Sequence, residues 1–249
     1  MTDVKPRSAL NSDQAFLHWL AALFMVTDHV GAALLPQVPV LRLIGRLAFP
    51  LYCMGIVQGC LYTRSHWRYA LRLFCFALLS QYPYMKALGH DLLELNVIFT
   101  LLLGMLAVWG MQAHWRGSAL WLPALSLFLS ATVPMDYGWQ GVLLIMLMYL
   151  CRDSRRAFAA MFVAFCLLWG ARSFDLFSWL RVPAPWSLWP QRLSGLTAML
   201  RAVFTLQGMA VLALPLMVIP TRTGLQKRRL VYLVYPGHLL LIWLVLSIQ

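Results

Sequence analysis

The chain consists of long apolar blocks separated by short clusters of arginine and lysine, and this pattern limits what it can fold into. A helix needs about 20 apolar residues to cross a bilayer, with about 17 as the shortest usual length. Hydrophobic residues make up 61% of the chain and charged residues 11%, which is incompatible with a water-soluble globular domain. We therefore expect an all-α, polytopic integral membrane protein with nine to ten transmembrane helices. The predicted spans are roughly 14–35, 40–62, 68–84, 96–111, 118–133, 137–151, 157–171, 197–219 and 230–248.

One segment differs from these apolar blocks. Residues 172–196 are rich in tryptophan and proline and contain three arginines, so we expect an interfacial or re-entrant element there. The rest of the chain shows no internal repeat, low-complexity tract or soluble appendage. The sequence therefore predicts a single domain over residues 1–249.

The basic residues predict the orientation in the membrane. With the N-terminus inside, most of the 20 Lys and Arg residues fall in cytoplasmic loops, as the positive-inside rule requires. The clusters are separated by apolar blocks rather than spread along one face, which argues against a nucleic-acid partner. We therefore expect a cytoplasmic N-terminus, an external C-terminus, and contact of the basic loops with membrane lipid.

Ionisable side chains inside the first two spans need a reason, since each charge costs about 2.5–3.5 kcal/mol in hydrocarbon. Asp28 and His29 are neighbours in the first span and point about 100° apart on a helix. Asp28 is therefore not expected to orient the imidazole of His29, which needs a partner from another helix. Arg42 lies at the membrane edge and could snorkel, whereas Arg46 lies a turn deeper. Arg46 could neutralise Asp28 or Asp136, or hold a developing oxyanion.

Other polar residues mark the later spans. Asn96 and Thr100 share one stripe of the fourth predicted span. In the last span Tyr235 and His238 are three residues apart, and Pro236 is expected to break the helix between them. Each stripe alone is compatible with simple helix–helix contact, but two His, two Arg and one Asp within the spans together indicate a functional polar cavity.

Imidazole bases beside a buried cation suit acyl transfer, because one deprotonates the attacking group and the other stabilises the oxyanion. The sequence contains no Gly-rich phosphate loop, zinc motif or serine-hydrolase motif, and we expect no metal. Arg64, Arg68 and Arg72 could bind the phosphates of coenzyme A, although topology and lipid headgroups alone would also explain such a cluster.

Seven sequence segments, in order, resemble the TraX family. They are TDH at 27–29, IGRLAFPLYCMGIVQG at 44–59, YTRSHWRYALRL at 62–73, SQYPY at 80–84, NVIFTLLLG at 96–104, DYGWQGVLL at 136–144 and LVYLVYPGHLLL at 230–241. The resemblance implies an enzyme of the bacterial inner membrane that acetylates the N-terminus of a pilin subunit. The family also resembles transmembrane acyltransferases that use cytoplasmic acetyl-CoA and a membrane-embedded His, whose matching position here is His29.

Together, the residues and the resemblance give a set of site assignments. The expected catalytic residues are His29, Asp28, Arg46, His238 and Tyr235. The expected acetyl-CoA-binding residues are Arg64, Arg68, Arg72, Asn96 and Thr100, and the expected acceptor-binding residues are Asp136, Tyr137 and Arg201. Three alternatives stay open at this point: a carbohydrate acceptor, a proton-coupled transporter, and a non-catalytic assembly factor.

Overall fold

The computed structural model describes residues 9–113, 115–171, 183–184, 187, 190, 194–226 and 231–248. Within these residues the regular elements are helices, and an isolated parallel β-bridge joins Leu95 and Met135. The helices are α1 Gln14–Ala33, α2 Pro39–Gly45, α3 Ala48–Tyr62, α4 His66–Leu88, α5 Val97–Ala113, α6 Ser118–Thr132, α7 Gly138–Leu150, α8 Arg155–Gly170, α9 Ser194–Val203, a 3-10 helix Gly208–Ala213, α10 Leu214–Val218 and α11 Val231–Ile248. The all-α prediction is confirmed for this part of the chain.

One helix break was not predicted, and one predicted break is wrong. The second predicted span is interrupted between Gly45 and Ala48. Pro50 lies in the first turn of α3, where its missing N–H removes no bond within the helix. In the last helix, α11 continues through Pro236, because a single missing backbone bond does not end an otherwise apolar helix.

The predicted span 197–219 is divided into α9, the 3-10 helix and α10. The interfacial element predicted at 172–196 lies mostly outside the described residues. Its last three residues, 194–196, form the first turn of α9.

The short loops place successive helix ends alternately at two ends of the bundle. We call the first the basic end. It contains the loops 63–65, 115–117 and 151–154, and Arg155 donates a hydrogen bond from Nε to the carbonyl of Ala9 over 2.6 Å. Asp13 caps α1 there, and its carboxylate accepts hydrogen bonds from Thr223, which lowers its pKa. Exposed arginines cluster at this end: Arg64, Arg68, Arg72, Arg116, Arg155, Arg156 and Arg222.

The second end, which we call the cavity end, contains the loops 34–38, 89–96 and 133–137. Between the two ends lies a core of fully buried apolar side chains. Its members include Cys53, Met54, Met105, Leu144 and Met148. The two ends are therefore separated by closely packed protein.

The helices are compatible with a membrane environment. Gln14–Ala33 and the stretch Pro39–Tyr62 are long and apolar enough to cross a bilayer, and several shorter helices are also apolar. Large apolar side chains are exposed on the outside of the bundle, among them Leu23, Leu79, Phe128 and Leu168. Apolar surface on this scale indicates contact with lipid or with another protein.

Candidate functional site

A cavity of about 720 Å³ lies at the cavity end of the bundle. Its walls come from the second half of α1, from α2 and the start of α3, from the end of α4, and from the loop that precedes α7. Its charged and imidazole-bearing lining residues are Asp28, His29, Arg42, Arg46, His90 and Asp136. The structure thus brings together residues from four separate segments around one space.

Asp28 is held by two arginines. Nη2 of Arg46 donates to both carboxylate oxygens of Asp28 over 2.8 Å, and Nη1 of Arg42 donates to Oδ2 over 2.8 Å. The position of Arg42 at the membrane edge suggested that its side chain could snorkel, but the side chain points to Asp28 instead. Asp28 and Arg46 are both buried, and two cations around one carboxylate leave a net positive charge in the wall of the cavity.

Gly45 makes this ion cluster possible. A Cβ atom at position 45 would lie 2.3 Å from both Cβ and Oδ1 of Asp28, far inside van der Waals contact. The sequence analysis did not identify Gly45 as a functional position. Gly45 lies in the segment IGR, immediately before Arg46, and this position was the one indication that the sequence offered. Only the packing of α1 on α2 shows that a side chain at position 45 would collide with Asp28.

The partner of His29 comes from another helix, as the sequence predicted. Nδ1 of His29 lies 2.6 Å from Nε2 of His238 in α11. The ring centroids are 4.9 Å apart and the planes differ by 7°. Because the short nitrogen–nitrogen distance accounts for most of that separation, the rings lie end to end in nearly one plane rather than face to face.

Tyr235 packs against both imidazoles. Its ring meets those of His29 and His238 edge-on, with centroids 6.0 Å and 5.8 Å away. Among the described residues its buried hydroxyl has no hydrogen-bond partner. Neither Tyr235 nor His238 lines the cavity itself, whereas His29 does. His29 is therefore the member of this cluster that faces the open space.

Asp136 and Tyr137 also line the cavity. The amide of Asp136 donates to the carbonyl of Leu95 over 3.0 Å, and the hydroxyl of Thr100 donates to the carbonyl of Asp136. Tyr137 adopts a left-handed conformation with φ of 63° and stacks on Phe49 at 3.7 Å. Burial raises the pKa of Asp136, against the opposing effect of a hydrogen bond from Tyr84. Two of the three predicted acceptor-binding residues, Asp136 and Tyr137, are thus at the cavity.

The predicted donor-binding residues are not brought together. Arg64, Arg68 and Arg72 are exposed near the start of α4, whereas only the end of that helix reaches the cavity. The rise of an α-helix places Arg72 about 24 Å from Leu88, which lines the cavity. The described lining contains no arginine from the basic end.

Asn96 and Thr100 lie at the cavity end, and their side chains form hydrogen bonds within the protein. The amide nitrogen of Asn96 donates to Gln81 and to the carbonyl of Ala77, and its oxygen accepts from the amide of Ile98. Neither Asn96 nor Thr100 lines the cavity. The predicted acceptor-binding residue Arg201 is exposed on α9 and is also absent from the lining.

No group of three or more His, Cys, Asp or Glu side chains that could hold a metal ion occurs in the described part of the chain. The cavity lining offers the imidazoles of His29 and His90, the guanidinium groups of Arg42 and Arg46 for a negative charge, and the carboxylate of Asp136 in the loop before α7.

Comparison with known proteins gives a family and one relative. A family model described as TraX protein matches residues 13–246. The chain is also 31% identical over 103 residues to the probable fimbrial assembly protein FimC, serogroup H1, of Dichelobacter nodosus. That alignment covers 36% of this chain and 42% of the relative, so the matched part is less than half of the relative's length. No solved structure matches the chain. The family match includes every polar residue of the cavity lining.

Proposed function

The chain belongs to the TraX family, and we propose that it is a multi-pass enzyme of the bacterial inner membrane that transfers an acetyl group. In this proposal the donor is acetyl-CoA and the acceptor is the N-terminal amine of a pilin subunit. The observation that carries the proposal is the position of His29 at the cavity, with His238 behind it and Arg46 in the same wall. The name of the fimbrial assembly relative supports an acceptor from the pilus.

His29 and Arg46 divide the chemistry. The unprotonated imidazole of His29 takes a proton from the acceptor ammonium, and the free amine then attacks the thioester carbonyl carbon. A tetrahedral oxyanion forms, and the buried guanidinium of Arg46 stabilises its negative charge. Collapse of this intermediate breaks the C–S bond, and the thiolate of coenzyme A takes the proton from His29. The regenerated imidazole then takes the second proton of the attacking nitrogen as the amide forms and releases it to solvent. The products are the N-acetylated subunit, free coenzyme A and one proton.

Asp136 is suited to position the acceptor. Its carboxylate belongs to the loop wall of the cavity, and a carboxylate attracts a protonated amine before the proton is lost. In the orientation that the basic loops predict, this wall lies on the outer side of the membrane. Signal cleavage of a pilin subunit would leave its amino terminus on that side, where the amine can reach Asp136.

The binding site of acetyl-CoA is assigned to the cavity and not to the exposed arginines near the start of α4. Arg72 is about 24 Å of helix away from the cavity lining, and buried core side chains fill the bundle between the two ends. Arg64, Arg68 and Arg72 are therefore assigned to lipid headgroups and to orientation. Acetyl-CoA supplied to one face of sealed vesicles at a time would identify the side from which the thioester enters.

Mass spectrometry of a co-expressed pilin tests the acceptor. Acetylation adds about 42 Da at the N-terminus. We expect this mass with the wild-type chain and with His18→Gln, and its loss with His29→Gln. His18 is the matched control because it lies on the same helix and away from the cavity lining. An unshifted pilin together with acetate on a glycan would move the acceptor to carbohydrate.

A non-catalytic role in fimbrial assembly is the second candidate, favoured by the name of the relative as a probable fimbrial assembly protein. The His29→Gln variant distinguishes the non-catalytic role from acetyl transfer. An assembly factor that uses its polar residues only for packing would still support pilus formation without acetylation. An acetyltransferase would lose acetylation while the protein remains folded.

A further inference from the structure

We infer that the backbone carbonyl of Val234 sets the protonation of both imidazoles and leaves Nε2 of His29 as the unprotonated nitrogen at the cavity. His238 is then a positioning residue, which acts on the reaction only through His29. The protonation of the pair follows from the hydrogen-bond geometry and the surrounding positive charge, whereas the use of Nε2 as a base rests on the proposed acetyl transfer.

The first step concerns His238. Its Nδ1 lies 2.6 Å from the carbonyl oxygen of Val234, one helical turn earlier in α11. A carbonyl oxygen can only accept a hydrogen bond, so Nδ1 of His238 must carry the proton. In a neutral imidazole the other nitrogen is then an acceptor, and Nε2 of His238 therefore presents a lone pair.

The second step transfers this constraint to His29. Nε2 of His238 lies 2.6 Å from Nδ1 of His29, in nearly coplanar rings, so one nitrogen must donate. Because Nε2 of His238 is the acceptor, Nδ1 of His29 is the donor. The opposite arrangement would need a cationic His238. A further positive charge in this buried region would be repelled by the uncompensated charge of Arg42 and Arg46 and would lose hydration.

The third step follows for the remaining nitrogen. With the proton on Nδ1, Nε2 of His29 has the lone pair. No hydrogen bond to Nε2 is found among the described residues, and it is not among their buried unpaired atoms. His29 lines the cavity, so this lone pair is open to a bound group.

His238 then has a defined effect on the reaction. When Nε2 of His29 takes the proton of the acceptor, the resulting imidazolium still donates from Nδ1 to the neutral acceptor His238. This hydrogen bond stabilises the charged form of the base while the amine attacks the thioester. Because His238 is neutral, it stabilises the imidazolium of His29 without adding a negative charge beside Arg46.

Nitrogen-15 NMR of the histidine-labelled full chain in lipid nanodiscs tests the protonation directly. The His29→Gln variant identifies the His29 signals by their loss. His18 is an internal reference, since its Nδ1 lies 2.6 Å from the carbonyl of Gln14 in the same arrangement as His238. We expect His29 to show a protonated Nδ1 and an unprotonated, pyridine-type Nε2. A proton on Nε2 of His29, alone or together with one on Nδ1, would overturn the inference.

Two variants of His238 test the positioning role. His238→Gln can keep an acceptor oxygen for Nδ1 of His29, whereas His238→Leu removes the acceptor. We expect His238→Leu to lower kcat of acetyl transfer by about 10- to 100-fold, the usual effect of losing a group that orients a histidine, with KM changed less than about twofold. His238→Gln should recover most of kcat and keep the proton on Nδ1.

An equal loss of kcat in both variants, or an effect on KM alone, would contradict positioning by His238. If His238→Leu does not fold, the spectra of the wild-type chain and of His238→Gln decide the protonation. If the wild-type chain transfers no acetyl group, the proposed function fails, while the same spectra still support or overturn the assignment of the protons.

Discussion

Gly45→Ala adds one methyl group at the closest approach of α1 and α2. The new Cβ would lie 2.3 Å from Cβ of Asp28, where ordinary contact begins at 3.4 Å. Cβ of Asp28 is fixed to the helix backbone and cannot rotate away, so the two helices must separate by about 1 Å. The bonds of 2.8 Å between Asp28 and Arg46 would then exceed hydrogen-bond length.

The expected cost of Gly45→Ala follows from this geometry. Breaking a buried ion pair costs about 3–5 kcal/mol, because both charges remain buried without a partner. In a chain of this size a loss of 1 kcal/mol lowers Tm by about 2–4 °C. We therefore expect Tm to fall by about 6–20 °C, measured by thermal unfolding in one fixed detergent.

Gly237→Ala is the matched control for this measurement. Gly237 lies within α11, and a Cβ there would meet nothing within 4 Å. Alanine is favoured over glycine in a helix by about 1 kcal/mol, so Tm should stay the same or rise slightly. If Gly45→Ala unfolds within about 1 °C of the wild-type chain, the contact between Gly45 and Asp28 does not hold the ion cluster together.

Three further predictions concern the cluster, the basic end and the orientation. Arg46→Leu should lower the free energy of unfolding by about 3–5 kcal/mol and Arg42→Leu by about 1 kcal/mol, since the side chain of Arg42 is 28% exposed and that of Arg46 is 8% exposed; denaturant titration compares them. Asp13→Ala should cost about 1 kcal/mol at pH 7 through loss of the helix cap. Because the folded pKa of Asp13 is lowered from 3.8, its contribution is present above that value and is lost as the pH falls through the folded pKa, so unfolding curves of variant and wild type should converge at acid pH. Alkaline phosphatase fused after α11 should be active and the same enzyme inserted in the loop 151–154 inactive, and the reverse pattern would invert the orientation.

Much of the helical layout can be predicted from apolar length. The bounds of α1 and α5 lie within two residues of the predicted ones, because the apolar blocks end in polar loops or caps. The break at Arg46 could not be predicted in the same way. At this break Gly45 lies against Asp28 in another helix, and no local pattern shows such a contact.

The site was predictable in its residues and less so in its contacts. The cost of burying Asp28, His29 and Arg46 identified them, and the angle between neighbours on a helix showed that His29 needed a partner elsewhere. The distance between the arginine cluster and the cavity was not predictable from residue type. Arg72 and Leu88 belong to one helix, and only the packing shows which end of it meets the cavity.

The central proposal is that the chain transfers an acetyl group in this cavity with His29 as the base. The most direct measurement is single-turnover transfer of radiolabelled acetyl from acetyl-CoA to a pilin subunit in proteoliposomes of the purified chain. We predict transfer by the wild-type protein, a rate lower by at least about 100-fold for His29→Gln, and a rate within about twofold of wild type for His18→Gln. A His29→Gln protein that transfers acetyl at the wild-type rate would contradict the claim.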